Sequence, residues 1–266
     1  MCYSIEQRKP LKQLEFRFKV KAVIPNGLSP DELQFYHGNG FAHPLVAVIP
    51  QENPKFVTPL MWGLVPHWES KQDYKEYYKN SIRYGSGLNA KNEKLFSSDM
   101  YIGSSMDRRC IVPLTGLHEP HHTNVIVSGS VFKVPFRFAR RDDEFMNVAG
   151  IYDFTNDGMA TFSILTKEAT PLFSKIHNKK NRRPVILQDK DVDTWLNNDS
   201  PREKLQEIID NDLRDDDLIA YPINRDLYKT KVDTNNPGII EKVDYGEVEI
   251  DYDGKVLPEP PRDLFN

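Results

Sequence analysis

The stretch RCIVPLTGLHEPHHTNVIVSGSVFKVPFRFARR, residues 109–141, decides the fold class. Its first part, RCIVPLTGL, is short, apolar and β-branched, and NVIVSGSVFKVPFRFARR is β-branched or aromatic and punctuated by glycine. Both segments therefore predict strands. MNVAGIYDF (146–154) and ATFSILT (160–166) repeat the pattern downstream. The middle of the chain is thus predicted to be a succession of β-strands.

The same stretch contains His118-Glu119-Pro120-His121-His122, a literal match to the H-E-x-x-H pattern of zinc proteases. That pattern needs a helix to bring both imidazoles to one face. Pro120 lacks the N–H that a helix interior uses, and the residues before it predict a strand. The sequence therefore predicts no metal site here. A chemical role for Glu119 would belong to a different constellation.

Helices and further strands flank this region without regular βαβ alternation, which predicts an α+β fold in a single domain. Strands are predicted at LVAVIP (45–50), FVTPLMWGLV (56–65), RRPVILQ (182–188) and LIAYPI (218–223). Helices are predicted over 71–82, 91–106, 168–178 (at least from Pro171), 191–198 and 200–210, the last with a capping box formed by Ser200 and Glu203. Beyond about Val243 the chain turns acidic and proline-bearing, which predicts a loosely held tail.

The composition describes an ordinary soluble globular protein, with 39% hydrophobic and 28% charged residues in 266. No apolar window is long enough to span a membrane, and MCYSIEQRKP has no apolar signal-peptide core. Two cysteines do not make a disulfide framework, so a cytoplasmic location is expected.

The net charge of -4 hides an asymmetry, because residues 184–266 carry 10 Lys and Arg against 21 Asp and Glu. The basic remainder suits a phosphate-facing groove, or simply an unevenly charged solvated surface.

Cys2 is the most unusual feature of the sequence. A small second residue normally permits removal of the initiator Met, which would leave Cys2 as the mature N-terminus. The α-amine has an ordinary pKa of about 8 and the thiol of about 8.5, so one residue offers two nucleophiles. With an aldehyde, the amine forms a Schiff base and the thiol closes onto the same carbon to give a thiazolidine. The alternative is an incidental residue near a frayed terminus.

Four other features have both a chemical and a structural interpretation. His177 opens a basic run that includes Lys179, Lys180 and Arg182, which is typical of a general acid beside a phosphate-binding loop or of a polar helix end. Trp62 and Trp68, in WGLVPHW, can stack on unpaired bases or pack in a core. Asn89, in LNAKNE, can orient a substrate or cap a helix. Cys110, inside an apolar strand, predicts a buried packing residue.

Taken in order, these segments resemble a known family. An initial Met-Cys is followed by WGLVPHW, LNAKNE, RRCIVPLTGLHE, VAGIYD, FSILTKEA, IHNKKNRRPVIL and TKVDTNN. This order is similar to that of the SRAP family, the SOS response-associated peptidases or abasic-site processing proteins. The resemblance covers roughly residues 1–245 and leaves 246–266 as an acidic tail. It implies one mixed α+β domain with a barrel-like antiparallel β core, peripheral helices and a groove for single-stranded DNA.

The resemblance also implies a reaction and assigns residues to it. The mature N-terminal Cys2 would attack the aldehyde of an abasic site and form a thiazolidine DNA–protein crosslink. Asn89 would hold the cysteine and the sugar, Glu119 would transfer protons, and His177 would protonate the sugar-ring oxygen. Phosphate contacts are implied for Arg182 and for Lys91, which replaces the usual arginine and loses its bidentate fork.

The remaining DNA-facing residues expected from the sequence are Lys179, Lys180, Trp62 and Trp68; Pro120 stands where relatives have a tryptophan. The expected partner is single-stranded DNA containing abasic sites, bound by a monomer without a cofactor, a metal or a membrane. One rival is an N-terminal-cysteine peptidase that uses the same Cys2, Glu119 and His177 on an amide. The other is a passive nucleic-acid-binding module in which Cys2 is idle.

Overall fold

The computed structural model describes residues 2–246 and the backbone of two short strands at 251–252 and 255–256. The predicted tail at 246–266 lies almost wholly outside the described residues. The strands are β1 (Ser4–Gln7), β2 (Lys21–Ala22), β3 (Phe35–Asn39), β4 (Leu45–Pro50), β5 (Phe56–Trp62), β6 (Asn89–Lys91), β7 (Arg109–Leu114), β8 (Gly116–Val127), β9 (Ser130–Arg140), β10 (Met146–Phe154), β11 (Ala160–Glu168), β12 (Arg182–Pro184), β13 (Ile186–Leu187), β14 (Leu218–Pro222), β15 (Asp251–Tyr252) and β16 (Lys255–Val256). The helices are α1 (Leu11–Phe18), α2 (Tyr74–Ser81), α3 (Ile102–Asp107), α4 (Pro171–Ile176), α5 (Val192–Leu196) and α6 (Arg202–Asp210).

One sheet has five strands in the order β14-β9-β8-β1-β3, all antiparallel to their neighbours. Its long hairpin, β8–β9, turns at Ser128 and Gly129, whose φ angles are 49° and 77°. Two consecutive positive φ values suit the right-handed twist of a tight hairpin, which explains the Ser-Gly pair. β1 enters this sheet beside β8, with Ile5 opposite Leu117. The N-terminal residues are therefore held next to the strand that carries Glu119.

The second sheet has nine strands, with β12-β11-β10-β7-β4-β5-β2 as its main path. β6 joins it by parallel pairing with β11, where Asn89 lies opposite Ile164. The helix predicted over 91–106 is therefore wrong: Lys91 ends a strand, a 3-10 turn follows, and the α-helix is confined to Ile102–Asp107. Pairing of β6 with the distant strand β11 takes Lys91 into the sheet, which local propensity does not report, and turns occupy the residues between it and α3.

The two sheets enclose a shared apolar core and form a barrel-like β structure with helices at its periphery. The core draws Leu117, Phe136 and Phe138 from the smaller sheet and Trp62, Val148 and Phe162 from the larger one. A second apolar cluster lies under α5 and α6 and includes Trp195 and Leu205. The prediction of a single mixed α+β domain with a barrel-like core is confirmed. None of the helices formed by the described residues is long and apolar enough to cross a bilayer.

The opposite face of β1, β8 and β9 carries a buried polar row. Ser4 Oγ lies 2.9 Å from His118 Nδ1, and Arg137 donates to both carboxylate oxygens of Glu6 at 2.6 and 2.8 Å. These contacts follow from the ladder, because Ile5 pairs with Leu117 and His118 pairs with Arg137. In this pleated sheet alternate residues face opposite sides, so His118 joins the polar row while Glu119 faces the core.

Two local predictions were wrong in detail. The single strand predicted at 109–117 is interrupted at Thr115 and belongs to two sheets, as β7 and the start of β8. The capping box predicted at Ser200 does not form: the N-cap of α6 is Pro201, and the Ser200 hydroxyl donates to the Thr194 carbonyl at 2.6 Å. The hydroxyl ties α6 to the preceding helix rather than to its own first turn.

Candidate active site

Cys2 is completely buried and is held through its backbone by Asn89. The Cys2 nitrogen donates to Asn89 Oδ1 at 3.1 Å, and Asn89 Nδ2 donates to the Cys2 carbonyl at 2.8 Å. The thiol lies 3.7 Å from the Ser4 carbonyl. An amide side chain is suited to this task because it offers one acceptor and two donors. Asn89 therefore fixes both backbone polar groups of the cysteine, and it does so from a strand rather than from a helix cap.

Asn89 owes its position to the preceding glycine-rich turn. Gly87 has a φ of +68°, and a β-carbon there would lie 2.2 Å from the Leu64 carbonyl oxygen. Only glycine fits both the left-handed backbone and this close approach. The turn delivers the chain into β6, where pairing with β11 fixes the direction of Asn89. The glycines of GSG are thus part of how the site is built.

Glu119 and His177 form a buried pair beside the cysteine. Glu119 Oε2 lies 3.3 Å from His177 Nδ1, and the two side chains are 1% and 3% exposed. His177 follows the last residue of α4, with its N–H donating to the Phe173 carbonyl. Its Nδ1 also lies 3.3 Å from the Arg182 carbonyl. The four residues from the sequence analysis, Cys2, Asn89, Glu119 and His177, therefore meet at one point.

Burial controls the protonation of these groups. It raises the pKa of the Glu119 carboxyl to about 8 and lowers the pKa of the His177 imidazole to about 3. Burial also raises the pKa of the Cys2 thiol well above its ordinary value, and the negative charge of Glu119 adds to this effect. At neutral pH the Glu119–His177 pair holds one proton, and the thiol is protonated. Glu119 Oε1 has no hydrogen-bond partner among the described residues, so it is available to a substrate.

The positive charges expected at the site behave differently from one another. Arg182 is paired: its guanidinium donates to the two Glu93 carboxylate oxygens at 2.5 and 3.1 Å and to the Thr166 carbonyl at 2.7 Å. Lys91, Lys179 and Lys180 are exposed. A phosphate at Arg182 would have to share the guanidinium with Glu93 or displace it. A phosphate bound at one of the three exposed lysines would not have to displace Glu93.

Arg183, the neighbour of Arg182 in the basic run, is buried and structural. Its Nη2 lies 3.1 Å from Asp212 Oδ2, and its guanidinium covers the Phe173 ring at 4.9 Å. The run of positive charge in the sequence is therefore divided by the pleat of β12. One arginine pairs with Glu93 and the next packs on Phe173 of α4.

The two tryptophans expected to contact DNA also differ from each other, in their burial. Trp62 is completely buried, donates from Nε1 to the Leu88 carbonyl at 2.9 Å and stacks on Phe162. Its expected contact with a DNA base is contradicted by this burial, because no face of the indole is open to a ligand. Trp68 is 52% exposed and packs edge-on against His67. Only Trp68 keeps a ring surface that a base can reach.

The H-E-x-x-H match lies within β8, so its two histidines, His118 and His122, are separated by four residues of extended chain, about 13 Å, instead of by one helical turn. His118 contacts Ser4, whereas the backbone N–H of His122 donates to Asn178 Oδ1 at 3.1 Å. Among residues 2–246, no cluster of three or more His, Cys, Asp or Glu side chains could hold a metal ion. The absence of a helix, inferred from Pro120, is confirmed.

Sequence reasoning missed the buried network behind Cys2. Arg137 and the Glu6 carboxylate form a bidentate pair, and Thr115 donates to Glu6 Oε1 at 2.9 Å. Burial alone would raise the pKa of Glu6, but the hydrogen bonds from Arg137, with His118 Nε2 3.8 Å away, lower it to about 2. A glutamate and an arginine 131 residues apart give no local signal of their pairing. Arg137 lies in a predicted strand, but no strand is predicted at β1, which carries Glu6, so nothing in the sequence indicates the pair.

The fold and this centre define a class of protein: a mixed α+β domain in which Cys2 at the start of the chain meets an asparagine, a glutamate and a histidine. The family model described as SOS response associated peptidase (SRAP) matches residues 1–230. The chain belongs to the SRAP family. The resemblance drawn from the order of motifs is confirmed.

Relatives and solved structures agree with this membership. Abasic site processing protein YoqW of Bacillus subtilis is 28% identical over 217 residues, which cover 76% of this chain and 88% of YoqW. Abasic site processing protein YMR114C of Saccharomyces cerevisiae is 28% identical over 182 residues, which cover 66% of this chain but only 45% of the yeast protein. A crystal structure of a Bacteroides thetaiotaomicron protein has a TM-score of 0.75 and 27% identity, covering 91% of this chain and 100% of that one. A Bordetella bronchiseptica structure, at a TM-score of 0.62 and 21% identity, covers 84% of this chain and 100% of that one and shares the fold.

Proposed function

We propose that this protein recognises abasic sites in single-stranded DNA and links itself to them through Cys2 as a thiazolidine. The observation that carries the proposal is the double hydrogen bond between Asn89 and the Cys2 backbone, beside the buried Glu119–His177 pair. The names of the relatives, abasic site processing proteins, support the choice of substrate. The working unit is the SRAP domain at about 1–245, acting as a monomer.

Ring opening comes first in the proposed mechanism. The Glu119–His177 pair, which holds one proton at neutral pH, protonates the ring oxygen of the abasic deoxyribose while the anomeric hydroxyl loses its proton to water. The product is the open-chain aldehyde. The pair acts as a unit here, since the low pKa of His177 leaves an imidazole that is neutral by itself.

Crosslinking then uses both nucleophiles of Cys2. Removal of Met1 exposes the primary amine, which adds to the aldehyde carbon and expels one water to form a Schiff base. The thiol adds to the same carbon, and its proton passes to the nitrogen. The net reaction joins cysteine and aldehyde with loss of one water. Asn89 holds the nitrogen throughout, so the amine and the thiol approach the carbon from a fixed geometry.

A second candidate function is hydrolysis of an amide by the same Cys2, as the family description suggests. Burial and the neighbouring Glu119 raise the pKa of the thiol, which disfavours the thiolate that a cysteine peptidase needs. The thiazolidine route uses the amine first and needs no free thiolate. The raised thiol pKa therefore favours crosslinking.

Intact-protein mass spectrometry tests the proposal. Full-length protein that has lost Met1 is incubated with a single strand in which uracil glycosylase has generated one abasic site. The expected product has the mass of protein plus oligonucleotide less one water. This product should not form with a uracil strand that the glycosylase has not treated, or with Cys2→Ala. Cys2→Ser separates the two nucleophiles, because it keeps the amine and should give an adduct only after trapping with cyanoborohydride. Cys110→Ala, which removes the other buried thiol, should crosslink normally. If wild-type protein without Met1 never gains the mass of the oligonucleotide, the proposal is refuted.

A further inference from the structure

Helix α2 and the 3-10 turn that continues it carry two adjacent stripes of side chains. Lys75, Lys79 and Arg83 recur every four residues, and so do Tyr74, Tyr78 and Ile82. Residues four apart lie on the same face of a helix, so a basic stripe runs beside an aromatic and apolar one. Tyr78 anchors the helix, since it is 6% exposed and donates to the Gly63 carbonyl at 2.5 Å, but Ile82 is 60% exposed. Ile82 and the basic stripe therefore lie on the surface.

The aromatic stripe borders a cleft of 340 Å³ that Lys75 and Lys79 also line. Phe41 and His43 line it as well. His43 stacks flat on Tyr78 at 3.4 Å between ring centroids, so these two rings cover each other, whereas Phe41 is 44% exposed. The cleft thus offers the exposed Phe41 ring, with ammonium groups at its edge.

The basic stripe is not neutralised by the protein. Among residues 2–246, Lys75, Lys79 and Arg83 form no ion pair, whereas Lys167 and Arg182, nearer the site, are both paired. Arg83 lies over the ring of Tyr84, which is 74% exposed. Unpaired cations interleaved with exposed rings are typical of surfaces that bind single-stranded nucleic acid, where phosphates meet the cations and bases stack on the rings.

This surface adjoins the nucleophile. The ring of Phe41 packs against Tyr3, the residue after Cys2, at 4.8 Å. The turn that ends the helix also reaches Tyr3, because a β-carbon on Gly85 would lie 3.4 Å from its hydroxyl. A single strand of DNA bound along α2 would therefore lead directly to Cys2.

We infer that the face of α2 formed by Lys75, Lys79 and Arg83, with the cleft beside it, binds unpaired nucleotides that flank the lesion. The inference rests on the proposed function for its substrate, but the binding itself needs neither an abasic site nor Cys2. The surface takes the backbone phosphates electrostatically and the bases by stacking, without reading their sequence. An acidic protein would meet the same charges but would have no use for the open ring faces.

Fluorescence anisotropy with a labelled single strand that lacks any abasic site tests this inference. Lys75→Gln/Lys79→Gln should weaken binding about tenfold and flatten the slope of log Kd against log salt by about 1.4, as for two lost phosphate contacts. Phe41→Ala should weaken binding with little change in that slope, because stacking releases no counterions. Lys12→Gln/Lys190→Gln, which removes equal charge from other parts of the surface, is the matched control and should change Kd less than twofold.

A charge-preserving variant guards against a folding artefact. Lys75→Arg/Lys79→Arg should keep the wild-type Kd within about twofold, since phosphate contacts survive the exchange. Equal losses in the α2 glutamine variant and in the Lys12/Lys190 control would overturn the inference, and so would no loss in either. If wild-type protein binds as expected but never crosslinks to abasic DNA, the proposed reaction fails while the inferred surface stands.

Discussion

Glu119 Oε2 and His177 Nδ1 lie 3.3 Å apart in an almost fully buried position. Burial pushes their pKa values in opposite directions, to about 8 for the carboxyl and about 3 for the imidazole. The pair therefore holds one proton and no net charge at neutral pH. That state suits a group that must first donate a proton and then take one back.

Replacing the carboxyl should abolish this exchange. We expect Glu119→Gln to slow thiazolidine formation by at least about 100-fold, the usual contribution of a general acid–base. The wild-type rate should rise toward pH 8 as the Cys2 amine, with its ordinary pKa of about 8, loses its proton, and should fall above pH 8 as the carboxyl loses its own. Single-turnover crosslinking on abasic DNA between pH 6 and 9 measures both effects. A Glu119→Gln variant that keeps the wild-type rate would remove Glu119 from the mechanism.

The same raised pKa makes a prediction about stability. The folded protein binds this proton more tightly than the unfolded chain, so the stabilisation is complete below the ordinary pKa of 4.5 and is lost as pH rises through about 8. Glu119→Gln stays neutral, so its melting temperature should exceed that of wild type at pH 8.5 by about 3–6 °C, as for roughly 1–2 kcal/mol in a domain of this size. The difference should shrink at pH 5. Differential scanning fluorimetry at both pH values checks it, and a constant difference would contradict it.

Asn89 accepts one hydrogen bond from the Cys2 backbone and donates another to it, and substitutions can remove the two bonds separately. Asn89→Asp keeps an acceptor for the Cys2 nitrogen and loses the donor to its carbonyl, whereas Asn89→Ala loses both. With about 0.5–1.5 kcal/mol for each bond, we expect crosslinking to slow about 3- to 10-fold in Asn89→Asp and about 10- to 100-fold in Asn89→Ala. Single-turnover rates at saturating DNA give the comparison. The reverse order would show that Asn89 does not act through Cys2.

We expect Glu93 to compete with DNA for Arg182. Its carboxylate accepts two hydrogen bonds from the guanidinium on an exposed surface. Glu93→Gln removes that charge and leaves Arg182 free for phosphate, so binding of single-stranded DNA should tighten about two- to fivefold, in keeping with the modest strength of exposed ion pairs. Arg182→Gln should weaken it, and the double variant should match Arg182→Gln. Titrations at fixed salt measure all three; no gain in Glu93→Gln would mean that Arg182 does not meet DNA.

The buried ion pair behind the site predicts a strong effect on folding. Arg137→Met leaves the Glu6 carboxylate buried without its bidentate partner and should destabilise the protein by about 3–5 kcal/mol. Glu6→Gln/Arg137→Met removes both charges and should recover most of that loss. Urea denaturation monitored by tryptophan fluorescence gives the free energies of unfolding. If the double variant is as unstable as Arg137→Met, the two side chains do not act as a pair.

The sequence predicted features that depend on neighbours along the chain. LVAVIP was predicted as a strand and forms β4 with the same bounds. The order of motifs identified the family, and Pro120 excluded the zinc helix. The three residues that meet around Cys2 were named in advance, but their roles came through the resemblance rather than through any local pattern.

What the sequence did not predict depends on contacts between distant residues. Arg182 and Arg183 are identical neighbours, yet one meets Glu93 and the other is buried against Asp212, because the pleat of β12 sends them to opposite sides. Trp62 and Trp68 differ in burial for a similar reason, since one ends β5 and the other follows it in a loop. The strand at Asn89–Lys91 exists only because β11 is there to pair with it.

Side chains alternate in direction along β8. The site is therefore sensitive to insertions just before Glu119 but tolerant of insertions at the tip of the β8–β9 hairpin. A residue inserted between Thr115 and His118 would turn the carboxylate toward Arg137 and bring the His118 imidazole to the Cys2 side, and a deletion there would bring Pro120 to that side instead. The turn at Ser128 and Gly129 lies at the far end of the same hairpin. Lengthening the hairpin there adds rungs to the ladder without moving Glu119. In the evolution or engineering of this chain, the tip is where a new segment can be accommodated, and the first rungs of β8 are where none can.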